Sequence, residues 1–433
     1  MRLIVFPRWA GVLAAAAGLM VAGMATVPAV AATSHATASG PSATPRFVSA
    51  LHAVRLPSGF ARVCPTPTVP GVMQCSSVVR SAVSAQPANR PASSALSPGQ
   101  LRSAYGLGKA TQVANKGTIA IVDAYNDWHA TADLAKYRSY YGIQACTTAT
   151  RCLRVVNQKG TTSWLPKGNA DWAEEESLDL DMVSAICPKC KILLVEANNP
   201  KISNLSTAED TAARLGAKFI SNSWGSGAEF STETSYDHYF NHLGVAITAS
   251  SGDYGYGTQW PAVSPSVTSV GGTTLWMKGR TRTEEKAWSQ GTGDGTGSGC
   301  SALEPQQIWQ APFGSGCANR IDNDVAADAD PRTGPAVYDS YPPANQGLPK
   351  GWQQLGGTSV ASPIIAAVYA LANPGGAAAK GSLPTRFPYQ ASSGLRDITI
   401  GANGSCGTYL CTAATGYDGP TGLGVPSGVN AFK

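Results

Sequence analysis

Two carboxylates lie on a helical stripe that should be apolar. Trp172, Glu175, Asp179, Met182 and Ile186 follow one another at steps of three or four residues, which is the spacing of one helix face. A buried, unpaired carboxylate is unfavourable unless it keeps its proton. Acids at positions i and i+4 point the same way, so Glu175 and Asp179 are predicted to share a proton and to titrate as a pair. The alternative is a solvated helix face that simply carries acids.

A serine stands in the first turn of a second predicted helix. The stretch GGTSVASPIIAAVYALA begins at Gly356 and has the composition of a buried helix preceded by small residues. Ser359 lies near its start, where unpaired N–H groups and the helix dipole favour negative charge on nearby atoms. This position suits a nucleophile. The alternative is that Thr358 or Ser359 only caps the helix.

A serine hydroxyl needs a base, and histidine usually takes its proton. None of the five histidines lies in a sequence that resembles the setting of a catalytic histidine; they are His35, His52, His129, His238 and His242. We therefore expect Glu175 to accept the proton of Ser359 while Asp179 holds and polarises Glu175.

A third acid, Asp253, follows an apolar run in ITASSGDYGYG and is flanked by glycines that allow close approach to a ligand. A protonated carboxyl at this place can donate a hydrogen bond to an oxyanion. Gly-Asp at a strand end is also a common turn, so this signal is weak alone.

Strands and helices alternate around these residues. The predicted buried strands span residues 117–125, 191–197, 218–225 and 244–253. The segments with helical spacing span residues 129–142, 171–186, 204–217 and 231–244. The alternation predicts an α/β fold with a doubly wound, mostly parallel sheet and helices on both faces. Ligands bind beyond the carboxyl ends of such strands, where VDAYND, SNSWGSG and SSGDYGYG would lie.

The amino-terminal region predicts export. In residues 1–32, two arginines precede a long Ala/Gly/Leu/Val run that ends in small residues, which is typical of a signal peptide; a retained anchor is the alternative. Residues 33–96 are rich in Ser, Ala and Pro and are predicted to form a loosely structured leader before a domain at 97–433. We expect a secreted, extracellular protein with no membrane contact once the signal is removed.

The ten cysteines support this location. They form five pairs of close neighbours in sequence, and an even number of cysteines in an exported chain favours disulfides. Cys187 and Cys190 in CPKC have two alternatives, a redox pair or half of a zinc site. Charged residues make up only 14% of the chain and form no basic cluster, so no nucleic-acid partner is expected.

The motifs together resemble the sedolisin family of serine-carboxyl peptidases, relatives of subtilisins in which glutamate replaces histidine. GTSVASP contains Ser359, EESLDLD contains Glu175 and Asp179, and SSGD contains Asp253. The resemblance extends from about residue 97 to the end and implies a subtilisin-like fold. It implies that Ser359 is the nucleophile, Glu175 the base, Asp179 its partner and Asp253 the oxyanion-stabilising acid. It further implies that the SNSWGSG strand beginning at Ser221 pairs with an extended peptide substrate.

The carboxy-terminal stretches LRDITIGANG and AATGYDGPTGLG are similar to the calcium loop of the family. The resemblance implies Ca²⁺ held by five residues: the side chains of Asp397 and Asp418 and the carbonyls of Ile398, Ala414 and Gly416. Hard oxygen ligands suit calcium. The alternative is a set of Asp/Gly turns that close the fold.

The expected function is that of a monomeric endopeptidase acting on peptides or unfolded protein at acidic pH. One alternative is a catalytically inactive binding protein with a subtilisin-like fold. Another is a glycosidase, but two acids one turn apart on one helix would not bracket a sugar bond from opposite faces.

Overall fold

The computed structural model describes residues 59–80, 89–112, 117–291, 293–314, 316–342, 350–373 and 382–433. These residues belong to one compact unit that extends from Leu51 to Lys433. The predicted signal peptide and residues 33–58 and 81–88 of the predicted leader lie outside the described residues.

The strands are β1 (Phe60–Arg62), β2 (Gln74–Cys75), β3 (Val78–Arg80), β4 (Thr118–Ala124), β5 (Leu153–Asn157), β6 (Lys191–Ala197), β7 (Phe219–Asn222), β8 (Trp224–Gly225), β9 (Ala246–Ser250), β10 (Tyr254–Tyr256), β11 (Thr268–Lys278), β12 (Thr281–Ala287), β13 (Ser289–Gly291), β14 (Asp294–Ser298), β15 (Cys300–Pro305), β16 (Asn319–Ile321), β17 (Val325–Asp328), β18 (Ala336–Asp339), β19 (Gly351–Gly356), β20 (Leu395–Arg396) and β21 (Val425–Pro426). The α-helices are α1 (Pro98–Ala104), α2 (Ala130–Tyr140), α3 (Ala170–Ile186), α4 (Ile202–Arg214), α5 (Thr358–Ala372) and α6 (Phe387–Gln390).

The central sheet has eight strands in the order β12-β11-β9-β7-β4-β6-β5, with β17 also paired to β11. Every pair in it is parallel except β11 with β12. Helices α3, α4 and α5 pack on its inner strands. The predicted α/β fold with a mostly parallel sheet is therefore confirmed.

One predicted helix has a different form. The segment 231–244 forms a 3₁₀-helix at Glu233–Phe240 instead of an α-helix. Its Ser, Thr, Asp and Asn residues compete with the backbone for hydrogen bonds and weaken α-helix formation. Ser235 shows this competition, because its hydroxyl donates a 2.6 Å hydrogen bond to the Thr232 carbonyl.

The carboxyl ends of the inner strands gather polar residues at one edge of the sheet. Asp123 at the end of β4 lies opposite Glu196 of β6, and Ser221 of β7 lies opposite Ile121 of β4. Asp253 follows three residues after β9. The parallel register therefore brings residues that are distant in sequence to the same edge.

Helix α3 is buried on every side. Its residues 172–186 are all buried, so the acids outside the Glu175 stripe, Glu174, Glu176 and Asp181, are buried as well. The Asn169 side chain caps the helix by accepting hydrogen bonds from the N–H groups of two first-turn residues. A helix surrounded by protein on all faces has no solvated side for its acids.

The start of α5 requires small residues. Gly357 has φ of 93°, a conformation that favours glycine, and a Cβ there would lie 2.1 Å from the Ser76 carbonyl oxygen. A Cβ at Gly356 would lie 2.3 Å from the Pro331 nitrogen. The two glycines before Thr358 therefore permit close packing of other chain segments around the helix N-terminus.

Part of the predicted leader is ordered within the same unit. β1 pairs with β3, β3 pairs with β19, and β2 pairs with β8. Residues 60–80 thus differ from the expected loose structure. Val63, Val78 and Val79 supply the reason, because these scattered apolar residues are at most 1% exposed.

All ten cysteines are paired, each with its sequence neighbour: Cys64–Cys75, Cys146–Cys152, Cys187–Cys190, Cys300–Cys317 and Cys406–Cys411. The CPKC motif is therefore a disulfide. Within the described ranges, no helix is both long enough and apolar enough to cross a membrane.

Candidate active site

Ser359 is the second residue of α5 and is completely buried. Its hydroxyl donates a 3.1 Å hydrogen bond to the carbonyl oxygen of Ser223. Its backbone N–H donates to the carbonyl oxygen of Ser76 at 2.9 Å. Pro363 has no N–H to bond the Ser359 carbonyl, which instead accepts a 3.3 Å hydrogen bond from the Ser223 hydroxyl. All three polar groups of Ser359 therefore contact residues outside α5.

Glu175 on α3 is completely buried beside Ser359. Burial, followed by the negative charge of Asp123, raises the pKa of Glu175 well above its usual range. The hydroxyls of Ser359 and Ser77 lie close enough to oppose this rise, although neither completes a hydrogen bond to the carboxyl in this conformation. The base predicted from sequence therefore lies next to the predicted nucleophile.

Asp179 lies one helix turn after Glu175 and contacts Ser223. The Ser223 hydroxyl oxygen lies 2.7 Å from Asp179 Oδ1 and 3.3 Å from the Ser359 carbonyl oxygen. Because a hydroxyl has one hydrogen, both contacts are satisfied in full only when Asp179 carries a proton and donates it to Ser223. Burial, with the charges of Asp123 and Glu175, raises the pKa of Asp179 well above its usual range and favours that protonated form.

Asp123 is a further acid of this site that the sequence reasoning did not select. It is completely buried at the end of β4, and neither carboxyl oxygen has a hydrogen-bond partner among the described residues. Burial raises its pKa to about 8, and its charge raises the pKa of both Glu175 and Asp179. The available signal was its place in VDAYND, at the strand end where ligands were expected.

Asp253 faces the N-terminus of α5 and is 2% exposed. Its Oδ1 accepts two 2.8 Å hydrogen bonds from Thr358, one from the backbone N–H and one from the hydroxyl. Burial raises the pKa of Asp253 to about 7, against the opposing effects of the Arg62 charge and the Thr358 hydrogen bonds. The carboxyl is therefore protonated in acid, and Oδ2 is free to carry the proton.

A peptide carbonyl already lies between Ser359 and Asp253. A Cβ atom on Gly357 would lie 2.1 Å from the Ser76 carbonyl oxygen and 2.7 Å from Asp253 Oδ2. Both oxygens therefore border the same small space beside Gly357. The Ser359 N–H contacts the same carbonyl oxygen at 2.9 Å. A backbone donor and a protonated carboxyl facing one carbonyl oxygen form the arrangement that stabilises an oxyanion.

The SNSWGSG strand has an extended peptide paired to it. Strand β8 pairs antiparallel with β2, with Trp224 opposite Cys75 and Gly225 opposite Gln74. The Ser76 N–H extends this pairing by donating to the Ser223 carbonyl at 3.0 Å. Trp224 itself is completely buried, and its indole N–H donates to the Val122 carbonyl at 2.8 Å, so it is a packed aromatic in this conformation.

The three described histidines contact other parts of the molecule. His129 is hydrogen-bonded to Ser340 at 2.9 Å, His238 to the Ser235 carbonyl at 2.9 Å, and His242 lies 3.8 Å from Asp210.

The predicted calcium ligands lie in two loops that meet. Asp397 Oδ2 accepts a 2.8 Å hydrogen bond from the Gly416 N–H, and Asp418 Oδ2 accepts one of 3.0 Å from the Ala414 N–H. Burial raises the pKa of Asp418 to about 7, and repulsion from Asp397 contributes. In the part of the chain that the structure describes, no three His, Cys, Asp or Glu side chains are arranged to bind a metal. The predicted calcium site is not such a cluster, because two carboxylates and three backbone carbonyls would form it.

Comparison with known proteins finds a family model and several relatives that match this chain. The model of the subtilase family matches residues 167–380. Sedolisin from Pseudomonas sp. (strain 101) is 33% identical over 205 residues, which cover 42% of this chain and 33% of that protein. Kumamolisin from Bacillus sp. (strain MN-32) is 28% identical over 345 residues, which cover 73% of this chain and 59% of that protein. The chain thus spans between a third and three fifths of these relatives.

The fold also matches that of a solved protein structure. Pseudomonas sedolisin, a serine-carboxyl proteinase complexed with two molecules of pseudo-iodotyrostatin, superposes with a TM-score of 0.64 and 25% identity. The match covers 77% of this chain and 95% of the solved chain. The fold and the subtilase match define a subtilisin-like protein. Within that class, the matches to sedolisin and kumamolisin support the sedolisin family of serine-carboxyl peptidases.

Proposed function

We propose that this protein is a secreted endopeptidase that hydrolyses peptides or unfolded proteins by means of Ser359, Glu175, Asp179 and Asp253. The observation that carries the proposal is the peptide carbonyl of Ser76, held by the Ser359 N–H and facing the Asp253 carboxyl. The matches to sedolisin and kumamolisin support the same activity.

Ser359 would attack a peptide carbonyl carbon while Glu175 takes the hydroxyl proton. The tetrahedral intermediate then collapses, the C–N bond breaks, and Glu175 returns the proton to the leaving amine nitrogen. Water enters and hydrolyses the acyl-enzyme, with Glu175 acting as base again. This sequence needs Glu175 ionised at the start.

An ionised Glu175 is possible because Glu175, Asp123 and Asp179 share protons. Repulsion raises the pKa of each acid only while its neighbours are charged, so the first acid of the group to ionise does so more easily than the others. The hydroxyls of Ser359 and Ser77 favour the charge on Glu175, whereas Asp123 has no hydroxyl partner. One negative charge on Glu175, with Asp123 and Asp179 protonated, is the arrangement that these contacts favour.

Asp253 links the reaction to acidic pH. Its carboxyl donates to the oxyanion only when protonated, and its pKa of about 7 makes that form dominant in acid. We therefore propose an optimum below neutrality, bounded on the acid side by ionisation of Glu175.

Substrate would bind as an extended strand on β8. Antiparallel pairing with Trp224 and Gly225 and the Ser223 carbonyl engages only the peptide backbone. Such binding demands an unfolded or flexible substrate and places a bond within the substrate chain at Ser359, which fits an endopeptidase.

Calcium is proposed for the carboxy-terminal loops. The Asp397 and Asp418 carboxylates approach closely enough to repel each other, and a divalent cation would remove that repulsion. Asp397, Asp418 and the carbonyls of Ile398, Ala414 and Gly416 would hold the ion, which would stabilise the loops.

Secretion is proposed from two independent features. Residues 1–32 have the composition of a signal peptide. The five disulfides suit an oxidising environment outside the cytoplasm. The protein is expected to act as a monomer.

The test compares three proteins on a reduced and alkylated protein substrate from pH 3 to pH 8. The parent should release peptides in acid, and Ser359→Ala should lose at least about 10⁴-fold in kcat. Ser362→Ala is the matched control, because Ser362 lies on the same helix but contacts Ser221 and Thr248 instead of the acids. Its kcat should stay within a few-fold of the parent. Equal activity of Ser359→Ala and the parent would rule out the proposed nucleophile.

A further inference from the structure

A pocket of about 300 Å³ lies beside the candidate active site. Two backbone segments form opposite walls of this pocket, residues 227–229 after β8 and residues 251–252 after β9. Residues 254–259 line most of the remainder. Because Gly252 and Tyr254 both line the pocket, it directly adjoins the backbone of Asp253, the predicted oxyanion acid.

The side chain that would enter this pocket belongs to the substrate residue whose carbonyl is attacked, which we call the P1 residue. The P1 N–H of a substrate strand on β8 would donate to the Ser223 carbonyl, and the P1 carbonyl would lie between the Ser359 N–H and Asp253. The N–H and carbonyl of Ser76 have these contacts in the structure. The chain segments after Ser223 and before Asp253 continue into the two walls, so the P1 side chain points between them.

Gln259 crosses this pocket from wall to wall and is 2% exposed. Its Nε2 donates to the Ser250 carbonyl at 2.9 Å, and its Oε1 accepts from the Gly227 N–H at 3.1 Å. A Cβ on Gly225 would lie 2.2 Å from Gln259 Nε2, and one on Gly252 would lie 3.0 Å from Gln259 Cδ. Glycine on both walls therefore makes room for Gln259, which closes the inner end of the pocket and limits its depth.

Glu229 supplies the charge of the pocket, because it is the only acid or base among the described residues that line it. Its Oε2 accepts a 2.8 Å hydrogen bond from the Thr258 hydroxyl and a 2.9 Å one from the Ala302 N–H, and its Oε1 accepts from the Ser301 hydroxyl. These three neutral donors hold the carboxyl group in place. Within the described part of the chain, Glu229 has no ion-pair partner.

Two acids near Glu229 stay neutral in acid. Burial, followed by repulsion from neighbouring carboxylates that include Glu229, raises the pKa of Glu233 to about 8 and that of Glu304 to about 9. A third acid, Asp237, also repels a charge on Glu304, and its Oδ1 accepts a 3.1 Å hydrogen bond from the Trp260 indole N–H. The acids around the pocket therefore give it a negative charge and offer no cation to Glu229.

One cation contacts a residue that lines the pocket, but its charge is used elsewhere. Arg62 lies 3.9 Å from the centre of the Tyr254 ring. Its guanidinium donates to the carbonyls of Asp253 and Gly293 at 3.0 and 3.3 Å and lies 3.5 Å from the Asp294 carboxylate. Arg62 is thus paired outside the pocket.

We propose that this pocket selects substrates with lysine or arginine at P1. The inference rests on the proposed peptidase function and names the class of peptide bond that it cuts. The methylene stem of either side chain would pack against Tyr254 and Tyr256, and its cationic end would donate to Glu229. Gln259 would exclude an aromatic ring, because it occupies the depth that a ring needs. Glu229 thus selects the charge of the P1 side chain, and Gln259 selects its shape.

The test measures kcat/KM of the secreted protein at pH 5 on five peptides that differ only at P1. Lys, Arg, Leu, Phe or Glu stands at P1 in an otherwise uncharged sequence, and mass spectrometry locates the cut in each peptide. We expect kcat/KM for Lys and Arg to exceed that for Leu at least about 10-fold and Glu to be the poorest. Equal values for Lys, Arg and Leu, or a higher value for Leu, Phe or Glu, would overturn the inference.

Glu229→Gln tests the role of the charge. The amide keeps one oxygen that can accept from Thr258 and Ala302, but it has no charge. The ratio of kcat/KM for the Lys peptide to that for the Leu peptide should fall at least about 10-fold, and this ratio does not depend on the fraction of enzyme that folds. Glu284→Gln is the matched control, because Glu284 is exposed and lies outside the pocket, and it should keep the parent ratio. An unchanged ratio in Glu229→Gln would overturn the inference.

Gln259→Ala tests the role of depth. Removal of the amide opens the space between Gly225 and Gly252, so the ratio of kcat/KM for the Phe peptide to that for the Leu peptide should rise several-fold. A ratio that stays at the parent value would overturn the role given to Gln259.

Failure of this inference is distinct from failure of the proposed function. Cleavage of the peptides without a preference for Lys or Arg would overturn the inference and leave the peptidase function standing. If the parent cut none of the five peptides and released nothing from unfolded protein, both would be overturned.

Discussion

Thr358 donates two 2.8 Å hydrogen bonds to the same oxygen of Asp253, Oδ1, and so fixes which oxygen can face a substrate. Oδ2 remains as the oxygen that can carry a proton toward the carbonyl held by Ser359. The residue before the nucleophile thus orients the acid that would stabilise its intermediate.

The first prediction concerns Asp253→Asn. The amide keeps a neutral donor at every pH, whereas the acid loses its proton as pH rises through about 7. The variant should therefore lose the alkaline limb of kcat/KM near pH 7 while retaining measurable activity. Asp253→Ala, which has no donor, should lose about 10²- to 10³-fold in kcat. An unchanged alkaline limb in Asp253→Asn would assign that limb to another group.

The second prediction concerns Asp123→Asn. Asp123 repels a charge on Glu175 only when it is itself ionised, and burial raises the pKa of Asp123 to about 8. In acid it keeps its proton, so Asp123→Asn should leave the acid limb of kcat/KM and KM nearly unchanged. Glu196→Gln is the matched control, because Glu196 is equally buried opposite Asp123 but is not among the charges that raise the pKa of Glu175. An acid limb that moves by about one pH unit in Asp123→Asn but not in Glu196→Gln would show that Asp123 is charged when Glu175 ionises.

The third prediction is that the protein is most stable in acid. Burial raises the pKa of Glu174, Glu175, Asp179 and Asp181 in the folded state. Such groups stabilise the fold below the pKa of the unfolded chain, about 4, and that stability is lost as pH rises toward the folded pKa. Each group contributes a slope of up to about 1.4 kcal/mol per pH unit in that window. Tm should therefore fall between pH 4 and pH 8.

Glu174→Gln tests whether buried acids cause this fall of Tm with pH. An amide does not titrate, so the variant should show a weaker fall of Tm with pH than the parent. The exposed Glu284 is the matched control, and Glu284→Gln should reproduce the parent curve. A Tm that rises from pH 4 to pH 8 would contradict burial as the dominant effect.

The fourth prediction concerns calcium. Added Ca²⁺ should raise the Tm of the parent, and a chelator should lower it. Asp418→Asn should abolish most of that response, because it removes one of two carboxylate ligands. Asp210→Asn, at an exposed acid elsewhere, should respond as the parent does. A response retained in Asp418→Asn would place the ion at other ligands.

Local patterns predicted the elements that carry the candidate chemistry. The stripe of α3 and the small-residue start of α5 are encoded in short segments, and both helices formed where expected. Short apolar runs likewise gave β4, β6, β7 and β9.

The features that the sequence did not reveal depend on contacts between distant segments. Asp123 joins Glu175 because α3 packs against β4, and no local pattern marks that meeting. The segment Phe60–Arg80 is ordered by β19 and β8, which lie far along the chain from it. Its own composition, rich in Val and Pro, is the same whether or not those partners are present.

Strand β8 has one edge for two competing occupants. That edge is already paired with β2, so an incoming peptide strand would have to displace Gln74 and Cys75 from Gly225 and Trp224. The affinity for a substrate would therefore depend on how easily these two residues leave, as well as on the contacts that the substrate itself makes.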